Sequence, residues 1–317
     1  MKSTSRLALC IPLAFAAVLY LAGPHLQLTP GQSSVLAAQA QAPTDQGPDP
    51  ADVNMAPSGP SYTTDTPPPG EQNPDDANYS EQPTEEATQP PPPLPDYVQP
   101  PPPDDGYIWT PGYWGWGPYG YYWVPGVWVE PPYVGGLWTP GYWGFYGGRY
   151  LFYPGHWGFH IGWYGGINYG FGYVGFGYEG GYWNGGHFFY NRVYNNIGGR
   201  NVRNVYSYRA NVRVNNNFRG NNNVRPSYRG GPNGVQARPR PQEGAAYREP
   251  TAPRMNTQVQ HAQNYSTQRG QYAAPHSNNT RPATTADPRP LHADPHVTPQ
   301  VRSGGGGGGG GRSGGHR

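Results

Sequence analysis

Rings and glycines alternate along the middle of this chain. From 168 to 178 the sequence reads NYGFGYVGFGY, with aromatics at alternate or near-alternate positions. A period of two sends successive side chains to opposite faces of an extended strand. Glycine between the rings allows close backbone approach, and the pattern predicts two or three strands completing a sheet. A second alternation runs from 202 to 214. Val202, Asn204, Tyr206, Tyr208, Ala210, Val212 and Val214 hold the even positions, and Arg203, Ser207, Arg209, Asn211 and Arg213 the odd ones, with Val205 the exception. This predicts an edge strand, with a short helix as the competitor.

Upstream the pattern becomes a repeat: WTPGYW at 109–114, WVPGVW at 123–128, WTPGYW at 138–143 and FYPGHW at 152–157. The starts lie 14, 15 and 14 residues apart, so the repeat governs the reading. Pro-Gly suits the two central positions of a type II turn. On that reading the aromatics flanking each turn face each other as a cross-strand pair. Further turn signals at 117–120, 130–132 and 147–148 leave strands of four or five residues. The expected fold is all-β: a small antiparallel β-meander of about eight short aromatic and glycine-rich strands, flanked by long disordered segments. Helix is disfavoured by the density of Gly, Pro and rings.

Composition limits how much of the chain folds. Gly (48) and Pro (41) exceed a quarter of the 317 residues, a level typical of low complexity. All ten Trp lie between Trp109 and Trp183, and residues 107–190 hold 33 aromatics and 24 Gly. Charge divides the chain further. Residues 43–106 carry 13 acidic and no basic side chains; 191–317 carry 18 Arg against four acids. The expected organisation is a signal peptide at 1–40, a disordered acidic Pro-rich linker at 41–106 and the β domain at 107–195. An Arg/Asn-rich segment follows at 196–230, then a disordered basic Gly-rich tail at 231–317. The proline runs 90–93 and 100–103 read as a stiff, extended spacer.

Lys2, Arg6, the apolar run 7–23 and a small-x-small site at 38–40 form the expected secretory signal. The expectation is export to the periplasm, outer surface or medium, with membrane contact only through that signal if uncleaved. Cys10, the single cysteine, falls inside the signal.

Catalytic chemistry is sparse. Residues 107–190 contain no Ser or Cys, and their only carboxylates are Glu130 and Glu179, which read as solvated or edge-strand acids. His156 and His160, with His187 further on, follow the repeat spacing, and structural filler is favoured over a metal site. No enzyme, cofactor, metal or small-molecule substrate is expected.

The motif W-x-x-G-x-W, at Trp109/Gly112/Trp114, Trp123/Gly126/Trp128 and Trp138/Gly141/Trp143, resembles the bacterial WxxGxW (YXWGXW) repeat proteins. The fourth copy keeps Gly155 and Trp157 but has Phe152 in place of the first Trp. The resemblance covers residues 107–159 and implies an exported, envelope-associated protein with no established activity. It carries no catalytic residues over.

Two roles follow. The first is a structural or interaction protein of the cell envelope, whose rings form its own core and support self-association. The alternative is a module binding cell-wall or exopolysaccharide on exposed Trp and Tyr, with the motif residues as its platform. Anion binding by the Arg-rich tail, which would accompany the alternative, is a third reading, with Arg203, Arg209, Arg213, Arg219, Arg225 and Arg229 as its candidates; nucleic acid ranks below envelope polymers for an exported chain. Burial decides between the roles: a platform requires Trp114, Trp128, Trp143 and Trp157 on one accessible face.

Overall fold

The repeat folds as two long hairpins, each built from two copies of the motif. In the first, β2 (Ile108–Thr110) and β3 (Tyr113–Gly117) run against β4 (Gly120–Val124) and β5 (Gly126–Val129). The second repeats this with β6 (Leu137–Thr139), β7 (Tyr142–Tyr146), β8 (Arg149–Tyr153) and β9 (His156–Gly158). These coordinates are a computed structural model, which describes residues 50–57, 80–198, 201–210, 225–273, 282–294 and 296–300. The signal sequence, Arg213, Arg219 and the glycine run 304–311 lie outside the described residues.

The cross-strand pairing of rings is as expected in kind, but the partners differ. Trp109 faces Trp128 and Trp114 faces Trp123, so the first Trp of one copy meets the last Trp of the other. In the second hairpin Trp138 faces Trp157 and Trp143 faces Phe152. The chain reverses at Pro118-Tyr119 and at Gly147-Gly148, not at Pro-Gly. Gly147 and Gly148 both have positive φ, +56° and +82°, the backbone of the two-residue turn whose twist matches a hairpin. A type II turn needs positive φ at its glycine; Gly112, Gly126, Gly141 and Gly155 do not have it. The type II turn matches strand twist poorly, and the Pro-Gly steps instead lie opposite one another midway along each hairpin. There proline, lacking N–H, interrupts the ladder.

The fold is all-β, as the repeat implied. Beyond the hairpins, β10 (Asn168–Gly170) pairs with β11 (Tyr173–Val174), and β12 (Gly181–Asn184) with β13 (His187–Asn191). These form small sheets of their own and do not complete the repeat sheet. The alternating segment supplies β14 (Val205–Tyr206), an edge strand parallel to β13. Arg203, Ser207 and Arg209 are exposed there, while Val205 is half-buried with the even positions.

Two expectations are corrected. Residues 80–106, read as part of a free linker, lie against the hairpins and contribute β1 (Glu85–Ala87), antiparallel to β8. Much of 231–300, read as disordered tail, is also ordered among the described residues. It holds β16 (Ala252–Pro253) on β9 and β17 (Ala286–Leu291) parallel to β5. A further strand just before it, β15 (Tyr228–Arg229), runs parallel to β7. The helices are α1 (Pro50–Val53), α2 (Pro241–Arg248) and α3 (Asn256–Ser266). The flanking segments add Leu94, Tyr228, Val235 and Met255 to the buried core, and their backbone pairs with hairpin edges that would otherwise be left open.

Candidate functional site

Every motif Trp is buried. Trp109, Trp123 and Trp157 are 0% exposed, Trp114, Trp128 and Trp143 1%, and Trp138 5%. The paired rings meet at centroid distances of 5.2–5.3 Å, edge-to-face or tilted, the arrangements aromatic quadrupoles favour. The motif rings are therefore core and form no accessible platform.

The motif glycines explain the spacing. A Cβ on Gly112 would sit 2.3 Å from Cζ2 of Trp123, and one on Gly126 2.5 Å from Cζ2 of Trp109. Each copy's first Trp thus covers the glycine of the other copy. Gly155 lies likewise under Trp138, at 2.4 Å. In the divergent fourth copy Phe152 stands over Gly141, where a Cβ would meet the Tyr153 carbonyl at 2.7 Å and Cζ of Phe152 at 2.9 Å. The W-x-x-G spacing is legible only for a pair of copies, which makes one hairpin the structural unit.

Side chains of the first hairpin hold the proline-rich strap, residues 89–104. Proline runs cannot pair their own carbonyls, and side chains take them up. Trp114 Nε1 donates to the Pro93 carbonyl (3.1 Å) and Trp128 Nε1 to that of Pro100 (2.7 Å). Tyr121 Oη donates to Gln89 (2.7 Å), and the Ser227 hydroxyl reaches the carbonyls of Pro91 and Pro92. Between the two Trp anchors, Tyr97 enters the Pro-Gly step. Its hydroxyl accepts the Gly112 N–H (3.1 Å), and its ring meets Trp123 at 6.0 Å and Phe171 at 5.1 Å. Burial pushes this phenol up to about 12, so it stays neutral through the physiological range. Leu94 is buried, and buried Gln99 bonds to Asn195 and Asn196. Sequence reasoning missed these contacts. The one available signal was Tyr97, a lone aromatic between two proline runs.

The two hairpins meet through equivalent residues. Trp143 Nε1 donates to the Trp114 carbonyl (2.7 Å), and the buried Tyr173 hydroxyl lies between the carbonyls of Trp109 (3.2 Å) and Trp138 (2.9 Å). A cavity of about 30 Å³ separates their Pro-Gly steps beneath Gln258 and His261 of α3, room for about two waters.

The candidate anion-binding arginines divide. Arg203 and Arg209 are exposed. Arg225 bonds to the Pro95 and Asn168 carbonyls and to Asp96, tying the strap down. Arg229 is 6% exposed; its guanidinium lies 5.9 Å from the Tyr146 ring and 5.7 Å from the Trp163 ring. Neither Arg225 nor Arg229 is thus placed to meet a polymer. His160 pairs with Glu249 (2.7 Å), His156 is buried in β9, and His187 is exposed at the start of β13. Glu130 faces His292 (3.5 Å), while Glu179 is fully buried. Among the described residues no group of three or more His, Cys, Asp and Glu could hold a metal, and no helix is long and apolar enough to cross a membrane.

Comparison with known families matches residues 105–129 to the WXXGXW repeat (2 copies). The matched segment coincides with the first hairpin, so this chain carries WXXGXW repeats and their two-copy unit is the structural one. No curated protein and no solved structure matches the chain.

Proposed function

We propose that this chain is an exported, non-enzymatic structural and interaction protein of the cell envelope, built on WXXGXW hairpins. The observation that carries the reading is the burial of all seven motif Trp in the folded chain, which leaves none of them on an accessible face. Export rests on the charged and apolar pattern of residues 2–23 and the small residues at 38–40. The glycan-binding alternative keeps only scattered exposed rings, chiefly Tyr119 (61%) and Phe159 (43%). Exposed Arg203 and Arg209 supply the sites for anionic envelope polymers.

Fractionation of expressing bacteria, combined with co-sedimentation of the full chain with peptidoglycan and insoluble polysaccharide, tests this. The expected result is a chain in the envelope or medium that pellets with anionic polymer at low salt and is released at high salt. Cytoplasmic recovery would reject export. Salt-resistant pelleting lost on Tyr119→Ala or Phe159→Ala would replace this reading with glycan recognition.

A further inference from the structure

We propose that the first hairpin, together with the residues of 171–227 that close over the strap, is a polyproline-recognition site, able to bind a proline-rich segment supplied in trans, and that residues 89–104 are its resident ligand.

Three observations carry it. The site reads backbone: indole N–H groups of Trp114 and Trp128 point at the carbonyls of Pro93 and Pro100, one from each proline run. Aromatic donors aimed at proline carbonyls are how extended polyproline II segments are bound, their stiffness lowering the entropy lost on docking. Tyr97 gives the contact a register. It is the side chain that enters the Pro-Gly step, and it satisfies the Gly112 N–H there. Finally, the site is a vacated stacking position. In the second hairpin, the Trp143 indole N–H meets the Trp114 carbonyl of the first hairpin. In the first hairpin the equivalent Trp114 N–H meets the strap at Pro93. At Pro93 the strap thus stands where a preceding WXXGXW hairpin would, and caps the stack there as terminal elements of repeat arrays do; the counterpart of Trp128, Trp157, donates instead to Gln258 of α3.

Charge contributes little to this docking. The strap's Asp96 is 91% exposed in its pair with Arg225, and such pairs add little. Recognition therefore depends on proline spacing and on Leu94, Tyr97 and Gln99.

The test uses the full chain carrying Leu94→Ser and Tyr97→Ala, which loosens the resident strap, titrated with a synthetic peptide of residues 88–106. Tryptophan emission and calorimetry report binding. The variant is expected to bind the peptide, and the wild type roughly tenfold or more weakly, because its own strap competes at high effective concentration. A peptide with Tyr97→Ala, and one of the same composition in shuffled order, are expected to fail. If the variant is unfolded alone, the peptide should restore its near-UV circular dichroism. No binding to a folded variant, or no recovery of an unfolded one, overturns the proposal. Equal binding of the shuffled peptide overturns it too, since charge alone would then explain the contact.

Discussion

Gly112 lies beneath the indole of Trp123, so close that a Cβ there would come within 2.3 Å of Cζ2. Gly126 lies in the same way beneath Trp109. This reciprocal cover gives a first prediction. Gly112→Ala or Gly126→Ala should cost about 1–3 kcal/mol or more, the usual penalty for overpacking a dense core. Gly148→Ala, where a Cβ meets open space but φ is +82°, should cost only about 1 kcal/mol from backbone strain. Urea denaturation of the three variants checks the order; a Gly112→Ala protein as stable as wild type would refute the packing account.

Trp143→Phe should uncouple the hairpins. It deletes the donor to the Trp114 carbonyl and leaves that buried oxygen without its indole partner. The expected loss is about 1–3 kcal/mol, together with a weaker near-UV circular dichroism band from the remaining indoles.

The arginines should sort by position. Arg225→Ala removes contacts to Pro95, Asp96 and Asn168 and should lower stability by about 1–2 kcal/mol. It should leave low-salt binding to polyanions nearly unchanged. Arg209→Ala, at an exposed site, should reverse this: stability within about 0.5 kcal/mol of wild type and weaker polyanion binding. Thermal melts and salt-dependent pelleting on the same four proteins, with Arg203→Ala beside Arg209→Ala, separate the two behaviours.

Glu243 predicts a pH dependence. Its carboxyl is fully buried in the first turn of α2, where Oε2 accepts the Arg240 backbone N–H (2.7 Å). Burial raises it from 4.5 to about 8. The folded state then holds a proton that the unfolded state releases above pH 4.5. This group's contribution is complete below that pH, falls as pH rises to about 8, and is constant above. The swing is on the order of a few kcal/mol. Glu243→Gln should flatten that part of the stability profile in denaturant titrations from pH 4 to 9; an unchanged slope would assign it to another group.

The sequence made the fold class legible because four in-phase copies of one hexapeptide leave few arrangements open, and the alternation around Tyr206 marked an edge strand with its arginines outward. The turn assignment failed because Pro-Gly has two uses. It can reverse a chain, or let two strands cross closely, and only the partner ring, here Trp123 over Gly112, separates them. The ordered strap and tail were hidden for a different reason. They are held by backbone carbonyls and by single side chains such as Tyr97 and Gln258, which leave no periodic signal. The candidate site suffered equally: the motif Trp residues were recognised, but the carbonyls that the Trp114 and Trp128 N–H groups meet lie in a segment read as spacer.

The bond from the Trp123 indole to the Thr285 carbonyl spans 162 residues, and it sets an order of events for folding. Each hairpin joins near neighbours and can form within microseconds. Closing the edge beside Trp123 must await residues far downstream, a high-contact-order step that is intrinsically slow. A chain that emerges from its N-terminus would have both hairpins free long before their closing strands, and until then it would stay loose, with its tryptophan core incompletely sealed.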